Sequence, residues 1–122
     1  MKKVLNKVEQ AVDEMCLGIV AANPKLALDQ RYRVVMRKDI DKDKVALISG
    51  GGSGHEPSHA GFVGEGMLTA AVCGDVFASP STMQIYNAIL QTRTDKGTLL
   101  IIKNYSGDCM NFDSAAEMAE DD

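Results

Sequence analysis

Leu5, Val8, Val12, Met15 and Ile19 recur at intervals of three and four, with Lys7, Glu9, Asp13 and Glu14 between them. That spacing predicts an amphipathic helix over residues 3–22, one stripe facing a core and the other facing water. The helix should end before Pro24, because proline disfavours helical backbone in the residue preceding it. Arg33-Val34-Val35-Met36 suits a short strand. Three apolar runs are clearer: Val45–Ser49, stopping at three glycines; Leu68–Cys73, stopping at Gly74; and Thr98–Ile102, stopping at Lys103-Asn104. Continuous apolar runs of this length fit strands buried on both faces, as in a parallel sheet. Between the last two runs, Met83, Ile85, Tyr86, Ala88, Ile89 and Leu90 mark a helix over residues 80–92. Ser79 or Ser81 is available to cap it, and Pro80 is tolerated in a first turn.

Strands alternating with helices imply an α/β fold with a mostly parallel sheet and flanking helices. Ligands of such sheets lie beyond the carboxyl ends of the strands, which directs attention to the segments after Ser49 and after Ile102. A last helix is expected to begin at Asp113 or Ser114 and to run through Ala115, Ala116, Met118 and Ala119. It is shorter than the roughly 12–15 residues that an isolated helix needs, and nothing follows to cover the final strand. Residues 1–122 therefore read as the N-terminal portion of a larger unit, truncated at the C-terminus, with apolar surface left for a partner or for self-association.

The 122 residues suffice for one modest core, with no linker or repeat dividing them. A net charge of −4 with Lys and Arg scattered argues against nucleic-acid and membrane-surface roles. No apolar run reaches the roughly 20 residues that span a bilayer. Polar residues interrupt what would be the apolar region of a signal peptide in Met1–Lys7, so a cytoplasmic location is expected. Cys16, Cys73 and Cys109 are odd in number and widely spaced, the pattern of free thiols rather than of a disulfide framework or a structural zinc site.

Chemistry concentrates in Gly50-Gly51-Gly52-Ser53-Gly54-His55-Glu56-Pro57-Ser58-His59, which holds both histidines. Glycines after a strand let the backbone approach a ligand closely, and successive N–H groups form a nest for oxygen atoms. Familiar motifs nearly match here. His55–His59 fits H-E-x-x-H, but Pro57 breaks the helix that would put both imidazoles on one face. A phosphate-binding loop needs Lys and Ser or Thr where His55-Glu56 stands. Gly52-x-Gly54 lacks the third glycine of a dinucleotide fingerprint, and Gly51-x-Ser53-x-His55 lacks the last glycine of a nucleophile elbow. What remains is a compact polar site of backbone donors, Ser53 and the His55 imidazole, joined by Lys103 and Asp108 if the third strand lies beside the first. Lys103 can donate to an oxygen and Asp108 can accept a hydroxyl proton. His55 with Asp108 would make an acid–base pair for a small polyol or hydroxyketone.

These blocks carry a family resemblance. Gly50–Pro57, His59–Gly64, Gly66–Val72, Gly74–Ser81, Lys103–Asp108, Asn111-Phe112 and Ala115–Met118 follow one another as in the dihydroxyacetone kinase family. The resemblance implies an N-terminal portion of the family's dihydroxyacetone-binding unit, an α/β protein of two domains. It implies that Gly52, Ser53, Gly54 and His55 line the substrate pocket and that Lys103 and Asp108 complete its polar contacts. His55 is implied as acid–base partner, with Asp108 helping to deprotonate the hydroxyl that attacks phosphorus. The family also uses a later histidine that adds covalently to the ketone; His59 is too near His55 to be that residue and is left as scaffold.

No cofactor or metal is expected on this chain. The phosphoryl donor, ATP or a phosphotransferase-linked ADP with Mg, is expected on a partner nucleotide-binding subunit or on a further domain, so phosphoryl transfer by the chain alone is not expected. A homo-oligomer, with no nucleic acid and no membrane, completes the expectation. Two alternatives belong to the same resemblance: a dihydroxyacetone-sensing coactivator without catalysis, and the N-terminal fragment of a single-chain ATP-dependent kinase.

Overall fold

The computed structural model describes residues 10–53, 59–76 and 78–120. In chain order the elements are helix α1 (Ala11–Ala22), strands β1 (Leu26–Asp29), β2 (Val34–Arg37) and β3 (Ala46–Ser53), a 3-10 turn (Ala60–Phe62), strand β4 (Ala70–Val76), helix α2 (Thr82–Thr92), strand β5 (Thr98–Ile101) and helix α3 (Ser106–Glu120). The five strands form one sheet in the order β1-β2-β4-β3-β5. β4, β3 and β5 are parallel, whereas β2 and β1 join antiparallel at the other edge. The sheet is therefore mixed, and its parallel part holds the three apolar runs.

Helices cover both sides of the sheet, so the two inner apolar runs are buried on both faces. On one face Val12 and Cys16 of α1 pack with Val35, Ala60, Val63, Ala71 and Cys73. On the other, Ile85, Ala88 and Ile89 of α2 and Phe112 and Ala115 of α3 pack with Val34, Ile48, Ala70 and Val72. Ser81 caps α2 reciprocally: its hydroxyl accepts from the Gln84 N–H, and the Gln84 side chain accepts from the Ser81 N–H. This capping box satisfies two donors that the first turn leaves unpaired. None of the three cysteines is in a disulfide.

Three features differ from the sequence expectations. β3 does not stop at Ser49 but continues through the glycines to Ser53, since Gly50 and Gly51 pair in register with Val72 and Cys73 of β4. β1 is additional; four residues are too few to show a period. α3 begins at Ser106 rather than at residue 113, so Asp108 lies in a helix first turn rather than in a loop. The part of the N-terminal helix predicted before residue 10 lies outside the described residues.

One face of β5 is uncovered. Leu47, which packs on the α1 side, pairs with Leu99, and Ser49 pairs with Ile101. Leu99 and Ile101 stay 54% and 47% exposed there, beyond the reach of α1. Across the sheet, Arg33 ties α1 to β4: its guanidinium donates to Asp13 at 2.8 Å and to Asp75. The hydrogen bond to Asp13 is the largest influence holding Arg33 charged well above its ordinary range. Arg33 has φ +53°, a left-handed conformation unfavourable for residues with a side chain. Among the described residues no helix is long and apolar enough to cross a membrane.

Candidate functional site

The carboxyl ends of β3, β4 and β5 meet the first turn of α3. β3 and β4 approach so closely that a Cβ on Gly50 would stand 2.5 Å from the Val72 carbonyl oxygen. Farther along, pairing moves from Gly51↔Cys73 to Ser53↔Val76, so β4 carries an extra residue. Such bulges kink a strand and often adjoin functional sites. Gly74 then lets the chain fold back: a Cβ there would lie 2.2 Å from the Ala78 carbonyl oxygen. The returning loop reaches α3, where a Cβ on Gly107 would meet Ser79 Oγ at 2.8 Å. Asn111 Nδ2 donates to the Pro80 carbonyl at 2.8 Å, which fixes the loop on the helix.

This packing places Asp108. Its side chain is buried, with 2% of the residue exposed, and Oδ1 has no hydrogen-bond partner among the described residues. A buried carboxylate oxygen normally carries partners, so one left open invites a donor from outside the fold. The α3 N-terminus favours negative charge at this point. Asp108 Oδ2 lies 3.9 Å from where a Cβ on Gly51 would stand. Gly51 thus lets the backbone pass close to the carboxylate without a side chain between them.

His59 packs against the same glycine. Its Nε2 lies 3.1 Å from that Cβ position, while Nδ1 lies 3.3 Å from Ser49 Oγ. Ser49 also donates to the Ile101 carbonyl at 2.7 Å, linking β3 to β5. The structure therefore gathers Ser49, Gly51, His59 and Asp108. Of these, only Asp108 was expected from sequence as a site residue; His59 stood as scaffold. The signal available was Ser49 and Gly51 alternating on one face of a strand, followed ten residues after Ser49 by a histidine.

The other expected residues are distributed around this cluster. Gly52 sits at the bulge, half-buried. Ser53 is buried and its hydroxyl donates to the Gly74 carbonyl at 2.8 Å, clamping β3 to β4. Lys103 is exposed just past β5, its ammonium 5.5 Å from the centre of the Tyr105 ring. Gly54 and His55 lie outside the described residues. At the opposite end of the sheet a cleft of about 530 Å³ is lined by Arg37, Asp41, Lys44, Glu65 and Thr94 among others. It contains none of the residues expected from sequence.

Comparison with known proteins supplies the context. Residues 17–122 match the family model described as the Dak1 domain. The chain is 52% identical over 123 residues to the dihydroxyacetone-binding subunit of PTS-dependent dihydroxyacetone kinase 1 of Listeria innocua, covering 100% of this chain and 37% of the relative. The crystal structure of the dihydroxyacetone kinase from C. freundii in complex with AMP-PNP and Mg2+ matches with a TM-score of 0.93 and 50% identity, over 98% of this chain and 23% of that one. A dihydroxyacetone kinase operon co-activator matches with a TM-score of 0.86 and 40% identity, over 89% of this chain and 34% of that one. The chain thus spans little more than a third of the length of the Listeria relative.

Proposed function

Because the chain belongs to the Dak1 domain family, we propose that it is the N-terminal portion of the dihydroxyacetone-binding part of a dihydroxyacetone kinase, its substrate lying across the carboxyl ends of β3 and β5. The observation that carries this reading is Asp108, a buried carboxylate beside Gly51 with one oxygen lacking a hydrogen-bond partner among the described residues. A substrate hydroxyl supplies the missing donor. When that hydroxyl attacks phosphorus, a new O–P bond forms, the bond from phosphorus to its donor breaks, and Asp108 receives the proton. His55 serves as the second acid–base group, Lys103 as a donor to a substrate oxygen, and the backbone of Gly52, Ser53 and Gly54 as the nest.

The phosphoryl donor, ATP or ADP-linked with Mg, is carried by a nucleotide-binding partner subunit or a further domain, since transfer needs a positioned donor and metal. The name of the Listeria relative, a PTS-dependent binding subunit, supports the partner arrangement. The uncovered Leu99 and Ile101 support self-association or docking to further chain, within the cytoplasm. A sensing role is the second reading, favoured by the similarity to the co-activator; it uses the same pocket without transfer.

Calorimetric titration with dihydroxyacetone tests the reading. Saturable binding by the chain, lost in Asp108→Ala, is expected; equal binding by wild type and Asp108→Ala would refute the site. Phosphorylation after adding a nucleotide-bearing subunit separates the kinase from the sensor.

A further inference from the structure

β5 is the outer strand of the sheet and, among the described residues, pairs on one side only, with β3. The Ala46 N–H donates to the Gly97 carbonyl, so Gly97 faces β3. Backbone groups alternate in direction along a strand. Leu99 and Ile101 therefore also bond inward, and the N–H and C=O groups of Thr98 and Leu100 point out from the edge. Exposed edges of this kind are commonly guarded by charge, proline or a bulge. Thr98-Leu99-Leu100-Ile101-Ile102 contains no charge and no proline, and its register with β3 runs without a bulge. Apolar surface flanks the edge on both faces. On the α1 side Leu99 and Ile101 are about half exposed. On the opposite side a groove of about 290 Å³ runs beside Leu100, lined by Ile89, Leu90, Ala116 and Ala119 as well as Arg93 and Glu120.

We propose that this edge pairs antiparallel with β5 of a second copy of the chain, about a two-fold axis through Leu100. In that register the two Leu100 residues exchange both of their outward hydrogen bonds, and Thr98 of one copy meets Ile102 of the other. Leu99 stands opposite Ile101 of the other copy, which joins the two exposed faces, while each Leu100 side chain turns toward the other copy's groove. A second copy fits better than an unrelated strand because the sequence matches its own reversal: aliphatic at 99 and 101, β-branched at 98 and 102. The contact closes at two copies, since each uses its one free β5 edge. A strand pair with these neighbours falls at or below the low end of the roughly 1,200–2,000 Å² of a standard interface, so the association is expected to be weak and reversible. The proposal holds whichever ligand the site takes.

Sedimentation of the 122-residue chain from micromolar to millimolar concentration is expected to show a monomer–dimer equilibrium with no larger species. In a mixture of isotope-labelled and unlabelled chains, filtered NOE spectra are expected to show a contact between the Leu99 Hα of one copy and the Ile101 Hα of the other. These form the close, non-hydrogen-bonded pair of the antiparallel ladder. Leu99→Lys puts a charge where guarded edges carry one and should raise the dimer dissociation constant about tenfold or more, with circular dichroism matching the wild type. Should that variant misfold, amide exchange on the wild type decides: the outward Leu100 amide is expected to slow about tenfold or more from dilute to concentrated solution. A chain that stays monomeric at millimolar concentration leaves the edge to a strand from elsewhere and overturns the proposal. Interchain contacts confined to another surface, or a Leu100 amide exchanging at one rate at every concentration, overturn it as well.

Discussion

Replacing Gly50 with alanine tests how the glycine run works. A Cβ at this position would lie 2.5 Å from the Val72 carbonyl oxygen and 3.0 Å from Val72 Cβ, about 0.9 Å short of ordinary contact. Neither neighbour can swing aside, because Gly50 and Val72 are paired in the central ladder of the sheet. The strands have to separate or slide. Overpacking a filled core costs about 1–3 kcal/mol, and each net hydrogen bond lost from the ladder adds about 1 kcal/mol. Together these give about 3 kcal/mol, a large share of the roughly 5–15 kcal/mol that stabilises a domain. Gly18 is the control: it lies within α1 with no atom within 4 Å of its Cβ position, so alanine there gains about 0.8–1 kcal/mol of helix propensity. In urea unfolding followed by circular dichroism, a slope of about 1.5 kcal/mol per molar puts the Gly50→Ala midpoint about 2 M lower. The same slope puts the Gly18→Ala midpoint about 0.5 M higher. A Gly50→Ala midpoint at the wild-type value would refute the close-approach argument.

Other outcomes follow from single contacts. Ser81→Ala removes the α2 capping box and should cost about 1 kcal/mol, read in the same urea assay. Arg33→Ala loses both ion pairs and keeps an unfavourable φ of +53°; Arg33→Gly, which relieves the backbone by about 1 kcal/mol, should be the milder change by thermal melting. Ile101→Lys places charge on the uncovered face of β5 and should abolish any concentration-dependent sedimentation shown by the wild type. With ATP alone the chain should not phosphorylate dihydroxyacetone; turnover abolished by His55→Ala in a coupled assay would reverse that expectation.

The parallel half of the fold was legible because Val45–Ser49, Leu68–Cys73 and Thr98–Ile102 carry unbroken apolar runs, although only the first two lie inside the sheet and β5 leaves one face uncovered. α2 was legible from its period and its serine cap. β1 was not, because Leu26–Asp29 is too short to display alternation. The start of α3 was hidden by Ser106-Gly107, a pair that reads as loop; Gly107 lets the Ser79 side chain approach the helix, a contact made across the fold. The glycine run was read as a strand end that frees the backbone. In the folded chain Gly50 admits β4 and Gly51 admits the His59 ring, neither at positive φ. Asp108 was singled out because an acidic residue after a strand is visible in sequence, and the fold buries it at that strand's carboxyl end. His59 was read as scaffold, and its contact with Ser49 of β3 is made only when the chain folds back beside that strand.

The most direct test of the central claim is a titration of the isotope-labelled chain with dihydroxyacetone, followed by backbone and histidine-ring resonances. Saturable shifts centred on Gly51, His59, Lys103 and Asp108 are predicted. Shifts confined to the cleft at the other end of the sheet, around Arg37, Lys44 and Thr94, or no saturable shifts at all, would contradict it.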